Sequence, residues 1–210
     1  MVITYLSHFL NTDTPAYGGE AGLVNFEKIR SISKGDTSNN LKLTFPGHIG
    51  THIDFPFHFS DTGKKCHEYP ASFWHFEKVG FIECSVDEII EKIEHLPNDI
   101  ELLILKTGFG AKRMEPEYWR EQPVLKKELA TIFRQKFPFL RVFGFDLISL
   151  TSKLDREEGK LAHRSFLIEN EILVLEDMDL DFLETIPNRV MISPLLIREA
   201  DGVPCTVISF

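Results

Sequence analysis

The sequence lacks the cysteine pattern, the basic clusters and the long apolar runs that mark several large classes of protein. Its three cysteines, Cys66, Cys84 and Cys205, are far apart and form no C-x-x-C pair. This spacing argues against a disulfide framework and against a cysteine-based zinc site, so we expect free thiols in a reducing cytoplasm. No stretch approaches the roughly 18 uncharged apolar residues of a transmembrane helix. Residues 1–6 also carry no basic segment of the kind that begins a signal peptide.

Positive charge is scarce and is not clustered: 23 Lys and Arg residues stand against 32 Asp and Glu residues, for a net charge of −9. Nucleic acids and anionic membranes are bound by clusters of lysine and arginine, so we expect neither as a partner. A small-molecule substrate remains compatible with this charge. The 210 residues, of which 43% are hydrophobic, are enough for one sizeable core and few for two. We therefore predict one domain over residues 1–210.

Apolar runs and helical patterns in alternation predict a strand-rich fold of the α/β class. The runs at 102–105 and 142–145 are continuously apolar, which is typical of strands buried on both faces. A helical pattern lies between them, and this order predicts a crossover connection with a parallel strand pair. The predicted strands lie within 1–10, 21–33, 41–45, 102–105, 142–145, 172–175, 190–193 and 203–210.

Two amphipathic helices are predicted from their start signals. Ser85 and Glu88 form a capping-box pattern, which predicts a helix that ends before Pro97. Pro123 is predicted to begin a second helix, since proline favours the first helical position and apolar residues follow at helical spacing. Residues 66–84 show no clear period and are predicted to be irregular.

The most informative segment is 47–59, in which three histidines and an aspartate fall at even positions: His48, His52, Asp54 and His58. In an extended chain successive side chains alternate between faces, so these polar side chains would share one face and apolar residues the other. Gly50 and Pro56 oppose a helix here. The polar face is either a metal or catalytic site or a solvated strand surface, and the strict period favours the site.

The spacing of His48 and His52 requires a bend if both bind one ion. Residues four apart in a straight strand are separated by about 13 Å, at roughly 3.3 Å per residue. A metal lies only about 2.1 Å from a histidine nitrogen. Gly50 permits a bend, so we predict a metal site closed by a kink at Gly50-Thr51. In a straight strand the two histidines would instead serve different sites.

A second group of candidate ligands lies downstream. His163 precedes the strand predicted at 172–175, and Glu176 follows that strand directly. Strand ends and the loops that follow them commonly supply functional residues. His163 taken alone also fits a surface position or a helix end, and the acidic neighbours of Glu176 are typical of a solvated loop. Both residues remain candidates beside these alternatives.

Two kinds of enzyme chemistry are compatible with these residues. Histidine and carboxylate together are ligands for Zn²⁺ or Mn²⁺, and a neighbouring histidine can transfer protons near neutral pH. Alternatively, Ser60 or Cys66 could pair with His58 as a nucleophile. The sequence has no G-x-S-x-G motif to support nucleophilic catalysis, so the metal-based hypothesis is preferred.

The pattern His48-x-Gly50-Thr51-His52-x-Asp54-x-Pro56-x-His58 resembles the signature of the cyclase-like metal-dependent hydrolases, a family that includes bacterial kynurenine formamidases and isatin hydrolase. Weaker similarities extend along nearly the whole chain. They lie at 5–7, 15–19, 106–109, 144–149, 163–164, 172–176 and 201–204.

Two positions depart from the pattern of the family. Cys205-Thr206 follows Pro204, where the family usually has a small hydrophobic residue and then arginine. Gly18-Gly19 follows Tyr17, where formamidases tend to have Trp-Pro-Gly. The resemblance therefore favours the general hydrolase activity over kynurenine formamidase itself.

The resemblance implies a swivelling β/β/α-type fold and a homodimer or higher homo-oligomer. It also implies one or two ions of zinc or manganese per chain. By motif position the implied metal ligands are His48, His52, Asp54, His163 and Glu176, with Asp54 able to bridge two ions. His58 is implied to be the proton-transferring residue, and Tyr17 belongs to a loop on the substrate side.

We therefore expect a metal-dependent hydrolase of a small amide, formamide or lactam. Metal-activated water would attack the carbonyl, and His58 would transfer a proton to the leaving nitrogen. A non-catalytic metal or small-molecule binding protein on the same scaffold is the alternative, because the ligand set does not distinguish the two. His58 favours catalysis, since it is surplus to a plain metal cage.

Overall fold

A large mixed sheet organises the fold. The computed structural model describes residues 3–210, so the part of the predicted first strand at residues 1–2 lies outside the described residues. The strands are β1 (Thr4–Tyr5), β2 (Asn25–Arg30), β3 (Asn40–Thr44), β4 (His52–Asp54), β5 (His75–Phe76), β6 (Val79–Glu83), β7 (Leu102–Lys106), β8 (Val142–Phe145), β9 (Leu173–Glu176), β10 (Val190–Pro194) and β11 (Gly202–Ser209). The α-helices are α1 (Ile89–Glu94), α2 (Pro116–Arg120), α3 (Glu128–Lys136) and α4 (Arg156–Arg164), and a π-helical turn (Ser165–Glu169) continues α4.

The sheet has a parallel half and an antiparallel half. Its strand order is β5-β10-β11-β4-β9-β8-β7-β6, with β1 added against β11. Strands β6 to β9 are parallel, and every other pairing in this sheet is antiparallel. Parallel neighbours need crossover connections, and α1, α3 and α4 lie in the three connections between β6 and β9. The predicted α/β class and the predicted crossover are both confirmed.

The apolar runs of the sequence form the centre of the sheet. Residues 102–105 of β7 and all of β8 are buried, as continuous apolar strands between two layers should be. The outlying hairpin of β2 and β3 is largely exposed instead. Within residues 3–210, no helix combines the length and apolar character needed to cross a lipid bilayer.

Three predictions about the elements need correction. Residues 66–84 are not irregular, because they contain β5 and β6, and β6 forms by parallel pairing along its whole length with β7. The second helix begins at Glu128 rather than at Pro123. Residues 122–126 form no helix, and the Gln122 amide among them donates to the backbone oxygen of Ser149 at 2.6 Å. Helix α4 was not predicted at all.

The segment that carries the histidine motif is bent rather than extended throughout. Only His52–Asp54 forms a strand, and Pro56–His58 forms a 3-10 turn, so the uniform two-residue alternation predicted over 47–59 is wrong. The predicted kink is confirmed, because Gly50 adopts a left-handed backbone conformation with φ of +59°. Strand β4 then enters the sheet between β9 and β11.

Candidate metal centre and active site

Strand pairing brings distant candidate residues together. Strand β4 pairs with β9 in a register that places His52 directly opposite Glu176. Side chains opposite each other in an antiparallel pair lie on the same face of the sheet. Glu176 is therefore a buried strand residue, and the alternative of a solvated acidic loop is wrong.

Two histidines and two carboxylates form a buried cluster at this point, which we call the central cluster: His52, Asp54, His163 and Glu176. The Nε2 atom of His52 lies 3.5 Å from Asp54 Oδ1 and 3.3 Å from Glu176 Oε2. The Nε2 atom of His163 lies 3.5 Å from Asp54 Oδ2 and 3.3 Å from Glu176 Oε1. Each imidazole thus faces both carboxylates with the same ring nitrogen.

Backbone carbonyls hold both imidazoles in this orientation. His52 Nδ1 donates to the Gly50 carbonyl at 2.8 Å, and His163 Nδ1 donates to the Gly159 carbonyl at 2.9 Å. A carbonyl only accepts, so the proton is on Nδ1, and Nε2 of the neutral ring presents a lone pair to the cluster. Metal-binding histidines are typically oriented in this way by a carbonyl or carboxylate behind the ring.

Neighbouring groups also fix Glu176 and the ring of His163. The backbone N–H of Leu150 donates to Glu176 Oε1 at 2.6 Å, and the Ser149 hydroxyl donates to the same atom at 3.3 Å. Phe59 stacks on the His163 ring, with 4.8 Å between ring centroids. The cluster is therefore held in a fixed geometry from outside.

His48 extends the cluster toward the surface. Its Nδ1 lies 2.8 Å from Asp54 Oδ1, and its Nε2 lies 3.0 Å from Asp201 Oδ2. The rings of His48 and His52 are 5.3 Å apart between centroids, far closer than a straight strand would allow. The kink at Gly50 therefore brings His48 and His52 close together, which the spacing argument required if both are to bind one ion.

His58 lies on the 3-10 turn that follows β4, and its ring is beside that of His48. The two rings are 4.0 Å apart between centroids, and His58 Nδ1 lies 3.1 Å from Asp201 Oδ2. The side chain is 31% exposed, unlike the buried central cluster. Potential ligand atoms of His48, Asp54 and His58 lie within 4.8 Å of one another, as do those of His52, Asp54 and Glu176. Asp54 belongs to both groups.

The buried carboxylates of the site favour positive charge on the groups around them. Burial lowers the pKa of His163, but hydrogen bonds with Asp54 and Glu176 outweigh burial and raise the pKa to about 10. Burial likewise lowers the pKa of His48, and Asp54 and Asp201 raise it to about 9. Burial raises the pKa of Asp54, yet the surrounding histidines hold it well below its ordinary value. Two buried carboxylates thus attract protons onto the rings around them, and a cation would satisfy the same demand.

The donor set fits a divalent metal ion. Imidazole nitrogens with fixed tautomers and carboxylate oxygens are ligands that Zn²⁺ and Mn²⁺ both accept. In the central cluster, the approaches of histidine Nε2 to carboxylate oxygen, 3.3 to 3.5 Å, join atoms that would all be acceptors if the rings were neutral. Such an arrangement is stable only with a proton or a metal ion among the acceptors.

The cluster opens into a cavity of about 330 Å³, and its lining includes Tyr17, His58, Arg156 and Lys160. Among residues 3–210, the Tyr17 hydroxyl is one of two buried side-chain polar atoms without a hydrogen-bond partner. The guanidinium of Arg156 lies 5.8 Å from the centre of the Tyr17 ring. Arg156, Lys160 and His163 follow each other at helical spacing on α4, so one face of this helix supplies both the cations and the buried imidazole.

The nucleophile alternatives do not pair with His58. Cys66 is buried, its Sγ lies 3.9 Å from the Leu195 carbonyl oxygen, and burial raises the pKa of its thiol. The Ser60 hydroxyl lies 3.2 Å from the hydroxyl of Thr62. The predicted free thiols are confirmed, since Cys66 and the two other cysteines form no disulfide in the described residues.

Sequence reasoning missed several residues of this site: Ser149, Arg156, Lys160 and Asp201. Asp201 had a weak signal as part of the closing segment 201–204, but its 143-residue separation from His58 hides the contact. Arg156 and Lys160 could have been found from their helical spacing with His163, had α4 been predicted.

Comparison with known proteins places this chain in one family. The family model described as "Putative cyclase" matches residues 4–152. A kynurenine formamidase from Bacillus anthracis is 31% identical over 204 residues, with 95% of this chain and 92% of that protein covered. The kynurenine formamidase of Bacillus cytotoxicus is 28% identical over 206 residues, with 97% and 94% covered.

Solved structures share the fold at lower identity. Isatin hydrolase A from Labrenzia aggregata has a TM-score of 0.83 at 20% identity, and the match covers 99% of this chain and 93% of that one. A predicted metal-dependent hydrolase from Bacillus stearothermophilus has a TM-score of 0.74 at 16% identity, with 99% and 97% covered. With the family model spanning more than half of the residues, the chain belongs to the Cyclase family of cyclase-like metal-dependent hydrolases.

Proposed function

We propose that the protein is a metal-dependent hydrolase that cleaves the C–N bond of a small amide, formamide or lactam. The observation that carries this proposal is the central cluster beside a cavity, with His58 next to it on the cavity wall. Membership of the Cyclase family supports it, as do relatives named kynurenine formamidase.

Each residue of the cluster has a proposed role. His48, His52 and Asp54 would hold one ion, and His163 and Glu176 would hold a second with the help of Asp54. The ion would be zinc or manganese, with one or two per chain. When bound, it supplies Lewis acidity, which lowers the pKa of water toward neutrality and polarises a carbonyl oxygen.

His58 is the proposed proton-transferring residue. Its Nδ1 is engaged with Asp201, so Nε2 remains for exchange with substrate. In amide hydrolysis, water adds to the carbonyl carbon, the C–N bond breaks, and the departing nitrogen needs a proton. His58 takes that proton from the attacking water and delivers it to the nitrogen, so no net proton is left on the enzyme.

The cavity supports a substrate that carries negative charge. Arg156 and Lys160 line it in a protein whose net charge is −9, and the Tyr17 hydroxyl is a buried donor without a partner among residues 3–210. A buried donor of this kind needs an explanation, and a substrate oxygen supplies one. We therefore assign Tyr17 to substrate binding and an anionic amide as the preferred substrate.

Metal analysis followed by an amide panel tests the proposal. Protein purified without chelator should contain about one to two equivalents of zinc or manganese per chain, because a set of imidazole and carboxylate ligands accepts either ion. It should then hydrolyse 2-formamidobenzoate in preference to neutral formanilide. Bound metal without turnover of any formamide, lactam or ester would favour the binding-protein alternative. No metal, even after incubation with either ion, would contradict both.

Two further predictions accompany the proposal. A cytoplasmic location is supported by the three free thiols, since oxidising compartments favour disulfides. A homodimer or higher homo-oligomer is predicted from the family resemblance, and sedimentation of the purified protein tests it.

A further inference from the structure

One carboxylate oxygen lies between two histidines at the mouth of the site. Asp201 Oδ2 is 3.0 Å from His48 Nε2 and 3.1 Å from His58 Nδ1. The Asp201 side chain is 44% exposed, so it is not buried there by packing. Its contacts with the two rings therefore need a reason in the chemistry of the site.

Hydrogen bonds and strand pairing fix the backbone at Asp201 and at the residues before and after it. The Asp201 carbonyl accepts from the Phe55 N–H at 2.9 Å, and the preceding carbonyl, of Ala200, accepts from the Cys66 N–H at 3.2 Å. The next residue, Gly202, is opposite Asp54 in the pairing of β11 with β4. The sheet thus delivers this carboxylate to the two histidines at a fixed position.

A carboxylate in this position selects the tautomer of His58. An ionised carboxylate only accepts hydrogen bonds, so the His58 nitrogen that faces it carries the proton. Neutral imidazole has one N–H, so with Nδ1 protonated Nε2 has the lone pair that a base requires. Free histidine side chains prefer the opposite tautomer, with the proton on Nε2. Without Asp201, His58 would therefore present a donor where the reaction needs an acceptor.

We propose that Asp201 is a positioning residue that holds His58 in the Nδ1–H tautomer and in the ring orientation needed for proton transfer. The proposal rests on the proton-transferring role proposed for His58. It differs from a role in metal binding, because Asp201 would act through His58 rather than through His48. Asp201 contacts both His48 and His58, so the test must distinguish an effect through His58 from an effect through His48.

The direct test is the tautomer of His58, read from the ¹⁵N chemical shifts of its ring nitrogens. Zinc-loaded protein with ¹⁵N-labelled histidine is compared as wild type, Asp201→Ala and Asp61→Ala, with His58→Ala used to assign the signals. Asp61 is an exposed aspartate on the loop after His58, so it is a matched control. We expect Nδ1–H in the wild type and the control, and a shift toward Nε2–H in Asp201→Ala. An unchanged His58 tautomer in Asp201→Ala would overturn the proposal.

Kinetics with 2-formamidobenzoate separate the route through His58 from the route through His48. At saturating zinc, Asp201→Ala should lower kcat about 10- to 100-fold, as loss of an orienting partner commonly does, with little change in KM. In the His58→Ala background the same substitution should change kcat by less than about twofold, because the residue it acts through is gone. An equal loss in both backgrounds would place the effect at His48 and contradict the proposal.

Folding and metal content are measured on every variant. Thermal unfolding should match the wild type in Asp201→Ala, since its side chain is partly exposed. Zinc per chain is compared at saturating zinc, so that any weaker binding through His48 is offset before tautomer and kcat are compared. Asp201→Ser also removes the carboxylate and gives a second version with the same expected tautomer change. The tautomer measurement does not depend on turnover, so it distinguishes failure of this inference from failure of the proposed hydrolase activity.

Discussion

Glu176 lies directly opposite His52 across the β4–β9 pair, and its Oε2 is 3.3 Å from His52 Nε2. This pair links the residues 48–58 to a strand more than a hundred residues away. Asp54, two residues after His52 on the same face of β4, completes the contact from the other side. Three of the four residues of the central cluster, His52, Asp54 and Glu176, thus lie on strands, which give them a rigid support.

Asp54 is the residue shared by both groups of ligands, so its removal should abolish metal binding. We predict that Asp54→Ala loses most of the bound zinc or manganese, since both proposed positions lose a carboxylate at once. Elemental analysis of the purified variant measures this. Asp61→Ala, an exposed change on a neighbouring loop, should keep the wild-type content. Full metal content in Asp54→Ala would refute the ligand assignment.

His58 should be dispensable for metal binding and essential for turnover. We predict that His58→Ala keeps its metal and lowers kcat by about 10² to 10⁴, the range that general acid–base catalysis commonly contributes. The check is kcat with 2-formamidobenzoate together with metal per chain. His95→Ala removes an exposed histidine after α1 and should behave as the wild type. Wild-type turnover in His58→Ala would show that another group transfers the proton.

Gly202 leaves room for the His48 ring. A Cβ built on Gly202 would overlap Cε1 of the His48 ring, so Gly202→Ala must displace the ring. We predict that this variant folds but binds less metal and has reduced kcat. Gly35→Ala is the contrasting control, because it has no neighbour within 4 Å and only the backbone cost of its φ of +92°. The idea fails if Gly202→Ala binds metal and turns over as the wild type does.

The sequence pattern of residues 47–59 predicted the part of the site that lies within that segment. The kink at Gly50 followed from the distance between His48 and His52, because glycine alone tolerates that backbone conformation easily. His163, Glu176 and Asp201 reach this segment only through the tertiary structure. Strand pairing brings Glu176 and Asp201 to it, and α4 places His163 beside Asp54. The family resemblance supplied His163 and Glu176, but no spacing rule predicts which loop end meets His58.

The errors in the fold have the same physical origin. Gly80 interrupts the apolar pattern of β6, so the sequence alone does not predict a strand there. The strand forms because all of its residues pair in parallel with β7. The start of α3 was misplaced because tertiary contacts decided it: the Glu158 carboxylate of α4 accepts from the Lys127 N–H at 2.8 Å, just before the helix. Sequence patterns report what a segment prefers alone, and these elements depend on what lies next to them.

A buried ion pair beside the central cluster should contribute to stability. The guanidinium of Arg113 donates to both carboxylate oxygens of Asp177, at 2.8 and 2.7 Å, and Tyr118 donates to the same carboxylate at 2.7 Å. We predict that Arg113→Met lowers the free energy of unfolding by about 3 to 5 kcal/mol, because it leaves the Asp177 charge buried and uncompensated. Urea denaturation measures the change. Arg113→Met with Asp177→Asn should recover part of the loss, and equal losses in the single and double variants would contradict this account.

The cations on α4 should select for charge on the substrate. Arg156 and Lys160 are exposed at the cavity, and Lys160 also contacts Glu157 at 2.6 Å, so each should contribute only as a surface pair does. About 0.2 to 1 kcal/mol corresponds to a KM change of roughly 1.4- to fivefold for each cation. We predict that Arg156→Gln raises KM for 2-formamidobenzoate by this factor and leaves KM for formanilide unchanged, since the neutral amide has no carboxylate to lose a partner. Added salt should weaken the preference in the wild type and have a smaller effect in the variant, which keeps only Lys160, because salt screens exposed charges. An equal rise in KM for both substrates would mean that Arg156 shapes the cavity rather than recognising charge.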